Sequence, residues 1–158
     1  MKNILIIGCG LIGSSLLRSI ADKKIAKKIF IYEKSKSNVL KIKKLKLPCE
    51  VTNDLKKIIP NIDLIIFCTP LGEYEKIILK INKYLLPKTI ITDVGSSKEK
   101  SMDLIKRRLK KGIFWTSSHP IERCFLLVFF SFINMHHLLR NKFFSPCSGP
   151  LTSDPAIG

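Results

Sequence analysis

Short apolar runs alternating with stretches of helical spacing predict an α/β chain built on a doubly wound, mostly parallel sheet, followed by a short divergent C-terminal tail. Three observations carry that prediction. Residues 3–7 and 64–68 are almost wholly apolar, without the polar alternation of a half-exposed strand, as expected for strands covered on both faces. The segments between such runs place apolar residues three and four apart, the period of a helix packed along one side. Gly8, Gly10 and Gly13 fall between the first run and the first helical pattern, where a sharp strand-to-helix turn is needed.

The first strand, 3–7, leads directly into Gly8-Cys9-Gly10-Leu11-Ile12-Gly13-Ser14-Ser15-Leu16. Gly8 permits the turn, Gly10 removes a side chain from the path of an anion, and Gly13 lets the helix pack closely on the strand. Leu16, Leu17 and Ile20 form the apolar stripe of that helix. A second strand, 29–32, ends at Glu33, about 20 residues after the last glycine. Together these are the signal of a Rossmann-type dinucleotide-binding domain, in which helix N-terminal amides and the helix dipole hold a pyrophosphate. Glu33 can accept hydrogen bonds from both adenosine ribose hydroxyls and repels a 2′-phosphate, which favours NAD over NADP. Lys34 and Ser35 blur that preference, since a cation and a hydroxyl accommodate the extra phosphate, and the plainer alternative for Glu33 is a solvated strand end.

Further along, Val39, Leu40, Ile42 and Leu45 predict a lysine-rich second helix, and 48–51 a short third strand. Residues 54–59 predict a helical turn ahead of the fourth strand, 64–68, which Thr69-Pro70 stops. Ile77, Ile78, Ile81 and Leu85 then mark a helix closed by Pro87, and 89–92 a fifth strand reaching Asp93. Ser97 caps the next predicted helix, with Met102, Leu104, Ile105 and Leu109 as its apolar positions, and 113–115 opens a sixth strand.

At 158 residues the chain holds one domain with a sizeable core, assigned to 1–121, with 122–158 a divergent apolar segment and flexible tail. The net charge of +16 comes from lysines spread over the whole chain, such as Lys23-Lys24, Lys43-Lys44 and Lys110-Lys111, and reads as solvated helix faces that also attract anionic ligands. No aromatic stacking pattern or basic recognition helix accompanies it, so no specific nucleic-acid partner is expected. The five cysteines, Cys9, Cys49, Cys68, Cys124 and Cys147, lack metal-ligand spacing, and the adjacent His136 and His137 point to different faces of a helix, so no metal is expected. A reducing cytoplasm fits this cysteine usage, and the N-terminus enters the first strand without a secretory signal. The apolar run from Phe125 is shorter than the ~18–20 residues that span a bilayer and is interrupted by Asn134, His136 and His137, so no membrane span is expected.

In a doubly wound sheet, ligands bind beyond the carboxyl ends of the strands. Residues 8–13, Glu33, Thr69-Pro70-Leu71, 93–98 and 117–120 should therefore converge on one crevice. His119 falls in that set, and its imidazole is suited to take a proton from a hydroxyl while the neighbouring carbon loses hydride.

The glycine segment 8–16, Thr69-Pro70-Leu71, Asp93-Val94-Gly95-Ser96-Ser97-Lys98 and Ser117-Ser118-His119-Pro120-Ile121 occur in order, and over residues 1–121 the chain resembles the prephenate/arogenate dehydrogenase family. The resemblance implies oxidative decarboxylation of prephenate or arogenate with NAD or NADP in tyrosine biosynthesis. It implies His119 as the catalytic base toward the ring hydroxyl, and Ser96 as the residue that places that hydroxyl and the nicotinamide, although a helix cap accounts equally for Ser96. The expected cofactor-binding residues are Gly8, Gly10, Leu11, Ile12, Gly13, Glu33, Thr69, Pro70, Asp93 and Gly95.

After Ile121 the family pattern continues with small residues, a glycine- and proline-containing loop and a helical domain that dimerises and closes over the substrate carboxylates. Glu122-Arg123-Cys124 and the phenylalanine-rich run stand here instead, and the expectation is an oxidoreductase of this family in a truncated or frame-shifted form, whose turnover the missing helical domain puts in doubt. Two alternatives use the same residues. A sensor that binds NAD without chemistry needs the glycine segment and Glu33 but has no use for His119, and a dehydrogenase or reductase of another small acid shares the fold without the Ser-His-Pro segment.

Overall fold

The structure is a computed structural model that describes residues 3–87, 89–95, 105 and 108–117. All belong to the first of two compact units, Met1–Phe125; the second, Leu126–Gly158, lies outside the described residues. Ser96, Ser97, Met102, Leu104, His119 and the tail 122–158 are likewise outside them.

Six strands form a single sheet: β1 (Asn3–Ile7), β2 (Lys28–Tyr32), β3 (Glu50–Thr52), β4 (Leu64–Phe67), β5 (Ile90–Asp93) and β6 (Phe114–Ser117). Their order is β3-β2-β1-β4-β5-β6, and each neighbouring pair is parallel. The helices α1 (Leu11–Asp22), α2 (Lys36–Lys44), α3 (Leu55–Ile58) and α4 (Tyr74–Ile81) lie in the crossovers. The chain builds outward from β1 through β2 to β3, then crosses back to place β4 on the other side of β1. That reversal opens a crevice at the carboxyl ends of β1 and β4.

Register brings the strand ends level. Ile7 pairs with Tyr32 and Phe67, Phe67 with Asp93, and Asp93 with Ser117. Each chain segment that leaves the sheet here therefore starts from the same edge.

The core explains why β1 and β4 carry no polar alternation. Ile4, Leu5, Ile6 and Ile7 are fully buried, as are Ile65, Ile66 and Phe67, because helices cover both faces. Each aliphatic side chain moved from water into such a core contributes about 1.5–3 kcal/mol. On α1 the buried residues are Gly13, Leu16, Leu17 and Ile20, and on α4 Tyr74, Ile77, Ile78 and Ile81. Both sets follow the i, i+3, i+4, i+7 spacing of one helix face.

Several boundaries differ from the sequence expectation. The helix carrying Ile77 ends at Ile81; a 3-10 turn, Asn82–Tyr84, follows, and Leu85 is buried from beyond it. The Asn82 amide fixes that turn, donating to the Arg108 carbonyl at 2.7 Å and accepting from Lys110 N–H at 2.9 Å. Cys68 falls just past β4 although its N–H still bonds the Ile7 carbonyl. Thr89 is a turn residue bonded to Leu86, and β5 runs on to Asp93. β3 begins at Glu50 because Cys49 N–H turns back to the Leu47 carbonyl, and Pro48 has no N–H to offer a ladder. Leu40, read as an apolar contact, is 61% exposed; α2 packs on one narrow stripe through Ile42. Ile105 is buried, and Leu109 packs against the core with an i→i−4 bond to it.

Gly13 sets how closely α1 approaches β1. A Cβ built on it would run into the Gly8 carbonyl oxygen, and the Gly8 carbonyl carbon and Cys68 Cβ lie within 3.3 Å. At Gly10 the same construction meets nothing within 4 Å. At the other end, Lys24 takes a left-handed conformation (φ 50°) while Ile25 N–H bonds the Ile20 carbonyl, a cap that suits glycine.

Two outcomes follow for urea unfolding of the full chain. Gly13→Ala should lower the unfolding free energy by about 1–3 kcal/mol through overpacking, whereas Gly10→Ala changes it by less than about 1 kcal/mol. Lys24→Gly should raise it by up to about 1 kcal/mol by relieving the left-handed strain.

Candidate functional site

The site begins where β1 stops. Gly8 adopts φ +87°, its N–H bonds the Tyr32 carbonyl at 2.9 Å, and a Cβ there would lie 2.6 Å from Thr69 Cγ2. The chain thus turns between the ends of β2 and β4 in a space only glycine fits. Gly10 then caps α1 in an extended conformation, and Ser14 N–H to the Gly10 carbonyl at 3.0 Å is the helix's first bond. The amides of Leu11, Ile12 and Gly13 precede that bond and have no intrahelical acceptor. No acidic residue stands in the first turn to neutralise them. The positive end of a twelve-residue helix is therefore aimed into the crevice.

Glu33 holds this loop in place. Its Oε2 accepts from Cys9 N–H at 2.7 Å and from Asn38 Nδ2 at 3.5 Å, and its Oε1 accepts from Ser35 N–H at 2.8 Å. Half-buried and bonded on both oxygens, it is not a solvated strand end. A carboxylate offers about four lone-pair directions, so Oε1 retains acceptor capacity for a hydroxyl.

The open cleft, about 480 Å³, lies between the start of α1, the exit of β4 and the exit of β5. Leu11 and Ile12 form one wall, Thr69, Pro70 and Leu71 the second, and Val94 with Gly95 the third. Leu11 is 90% exposed and Ile12 48%, large apolar side chains left at the mouth of a cleft. Thr69 Oγ1 is buried there without a hydrogen-bond partner among the described residues. A smaller cavity of about 80 Å³ lies toward β2, lined by Gly8, Glu33, Lys34, Thr69 and Glu73.

Of the residues expected at a cofactor, Gly8, Gly10, Leu11, Ile12, Gly13, Glu33, Thr69, Pro70 and Gly95 are brought to this edge. Asp93 is not on the cleft surface. It is fully buried, and its Oδ2 accepts from Tyr74 Oη and from Gly95 N–H, both at 3.3 Å. It supports the β5 exit from below. Ser96 and His119 lie outside the described residues, one past Gly95 and two past Ser117 in sequence.

Sequence reading missed Tyr74 and Glu73. Tyr74 opens α4, with its ring tilted against Phe67 at 4.9 Å between centroids and its hydroxyl reaching Asp93. Burial, and then the Asp93 charge, hold that phenol protonated far above the usual range. Glu73 closes the turn Leu71–Glu73 and pairs with Lys34 at 2.8 Å. The two thiols near the loop are shifted away from reactivity: burial, with Glu33 next, pushes Cys9 up to about 11, and burial, with Cys9 and Asp93 next, pushes Cys68 up to about 12. Both act as small hydrophobes.

Unbonded amides, open space at Gly10 and an anchored carboxylate at the end of β2 are the features that fit a dinucleotide diphosphate with its adenosine toward β2.

Comparison with known proteins agrees. Residues 16–122 match the family described as prephenate dehydrogenase, nucleotide-binding domain. A cyclohexadienyl dehydrogenase of Zymomonas mobilis is 30% identical over 120 residues, which cover 76% of this chain and 41% of that protein. The crystal structure of prephenate dehydrogenase from A. aeolicus with hydroxyphenyl propionate and NAD+ superposes with a TM-score of 0.66 at 26% identity, covering 77% of this chain and 42% of that one. A 3-hydroxyisobutyrate dehydrogenase of Mycobacterium tuberculosis, at 12% identity and a TM-score of 0.64 over 75% of this chain and 40% of its own, shares the fold. The chain thus spans about two-fifths of the length of these relatives. A fully parallel sheet, a glycine turn that frees three helix amides, and a match over residues 16–122 together establish that the chain belongs to the prephenate dehydrogenase family, as its nucleotide-binding domain.

Proposed function

We propose that the chain binds NAD at the carboxyl edge of its sheet and supplies the cofactor half of a cytoplasmic oxidative decarboxylation of prephenate or arogenate, in tyrosine biosynthesis. The observation that supports it most is the trio of amides at Leu11, Ile12 and Gly13, which have no acceptor within the helix, next to Gly10, where an added Cβ meets nothing within 4 Å. Those amides take the diphosphate. Glu33 takes a ribose hydroxyl on Oε1 while keeping its bonds to Cys9 and Ser35. Thr69 Oγ1 gains a partner, and Leu11, Ile12, Pro70 and Val94 offer apolar surface to the flat part of the ligand.

Held by the Leu11, Ile12 and Gly13 amides and by Glu33, NAD would supply the hydride acceptor for the ring carbon that carries the hydroxyl. His119 accepts the hydroxyl proton as that carbon becomes ketonic, Ser96 orients the hydroxyl, and the ring carboxylate leaves as carbon dioxide. Ser117 pairs level with Asp93 on β6, and His119 follows two residues later in the sequence. The substrate is a small molecule; prephenate and arogenate are both accommodated in this proposal.

Calorimetric titration of the full chain with NAD+ tests the binding step. Gly10→Ala should weaken binding at least about tenfold, which is about 1.4 kcal/mol, while leaving the urea midpoint in place. Equal affinity in the two proteins would remove the diphosphate from this loop. Reduced cofactor followed after addition of prephenate or arogenate tests the chemistry: His119→Asn should lower turnover by about 10²–10⁴ with NAD+ affinity unchanged. A chain that binds NAD+ and responds to neither substrate acts instead as a binding module.

A further inference from the structure

We infer that Glu73 is a cofactor-discriminating residue: by holding the Lys34 ammonium it denies that cation to a 2′-phosphate and sets the preference for NAD over NADP. The inference rests on NAD binding as proposed above. In sequence, Lys34 and Ser35 directly follow Glu33 and stand where a 2′-phosphate would seek a cation and a hydroxyl. In the fold both are engaged. Lys34 Nζ lies 2.8 Å from Glu73 Oε2, while Glu73 Oε1 is 3.3 Å from Lys76. Ser35 N–H is committed to Glu33 Oε1, and Ser35 Oγ accepts from Asn38 N–H at 3.4 Å and contacts Ser37 Oγ at 2.9 Å.

The ion pair runs from the end of β2 to the turn after β4, and Glu33, Lys34 and Glu73 line the same small cavity beside Gly8. A phosphate entering there meets two carboxylates, Glu33 and Glu73. To recruit Lys34 it must also displace Glu73. A bare ribose hydroxyl faces neither obstacle, because it needs only the free capacity on Glu33. Discrimination therefore comes from a repulsive and competing group as well as from an attractive one. The pair is partly exposed, with side-chain exposures of 56% and 34%, so its effect is modest in size.

Titration of the full chain with NAD+ and with NADP+ at one ionic strength tests the inference, using E73Q, K34Q and the double variant. E73Q should lower the Kd for NADP+ about three- to tenfold and leave that for NAD+ within about twofold. The gain should vanish in E73Q/K34Q, because Lys34 is the cation set free. An unchanged ratio of the two affinities in E73Q, or an equal shift in both, would overturn the inference while NAD binding stands. Persistence of the gain in the double variant would overturn it too, and would assign the phosphate to Lys76, the other cation that Glu73 holds. If the unsubstituted chain binds neither dinucleotide, the proposed function falls and takes this inference with it.

Discussion

The close approach of the first turn of α1 to the end of β1 is the constraint on which the rest of the site depends. The Gly8 carbonyl occupies the place where any side chain at position 13 would begin. With the helix so near, its unbonded amides open directly into the crevice between β1 and β4 and not onto the face of the sheet. Cys9 N–H, in the loop ahead of the helix, is claimed by Glu33. The carboxylate at the end of β2, proposed above for the ribose, also fixes the loop proposed for the diphosphate. A single side chain thereby ties recognition of the two halves together.

Charge is distributed with a purpose that the net value hides. The chain carries +16, yet Glu33 and Glu73 line the same small cavity as Lys34, and Glu73 pairs with its ammonium. Long-range attraction brings an anionic ligand toward the protein, and short-range placement of two carboxylates decides which anion stays. Farther along the same edge, the polar contact is buried: Asp93 faces Tyr74 and Gly95 beneath the surface. It shapes the β5 exit, and the open cleft above is walled largely by apolar side chains.

The fold supplies this edge by register. Ile7, Tyr32, Phe67, Asp93 and Ser117 stand level across five parallel strands, so residues far apart in the chain leave the sheet side by side. Covering both faces of the sheet demands the continuous apolar runs of β1 and β4, and that demand is what made those strands readable. α2 is the exception. Its lysines and exposed Leu40 leave Ile42 as its one fully buried contact, so a pattern that looked broadly apolar in sequence packs along a narrow stripe.

The order of the described strands and helices and the glycine turn were determined by the sequence alone, because each depends on local spacing and on backbone rules that operate within a few residues. Ends of elements were less legible. Leu85, Thr89 and Cys68 sit where apolar pattern and hydrogen bonding part company, and tertiary contacts such as the Asn82 bridge to Arg108 and Lys110 choose the boundary. Only the tertiary structure decided that Glu33 clamps Cys9, that Asp93 turns inward to Tyr74, and that Glu73 meets Lys34 across 39 residues. Those partners are joined by the neighbouring strands β2, β1, β4 and β5 at their carboxyl ends, and a pairing made by long-range topology leaves no periodic trace in the chain that carries it.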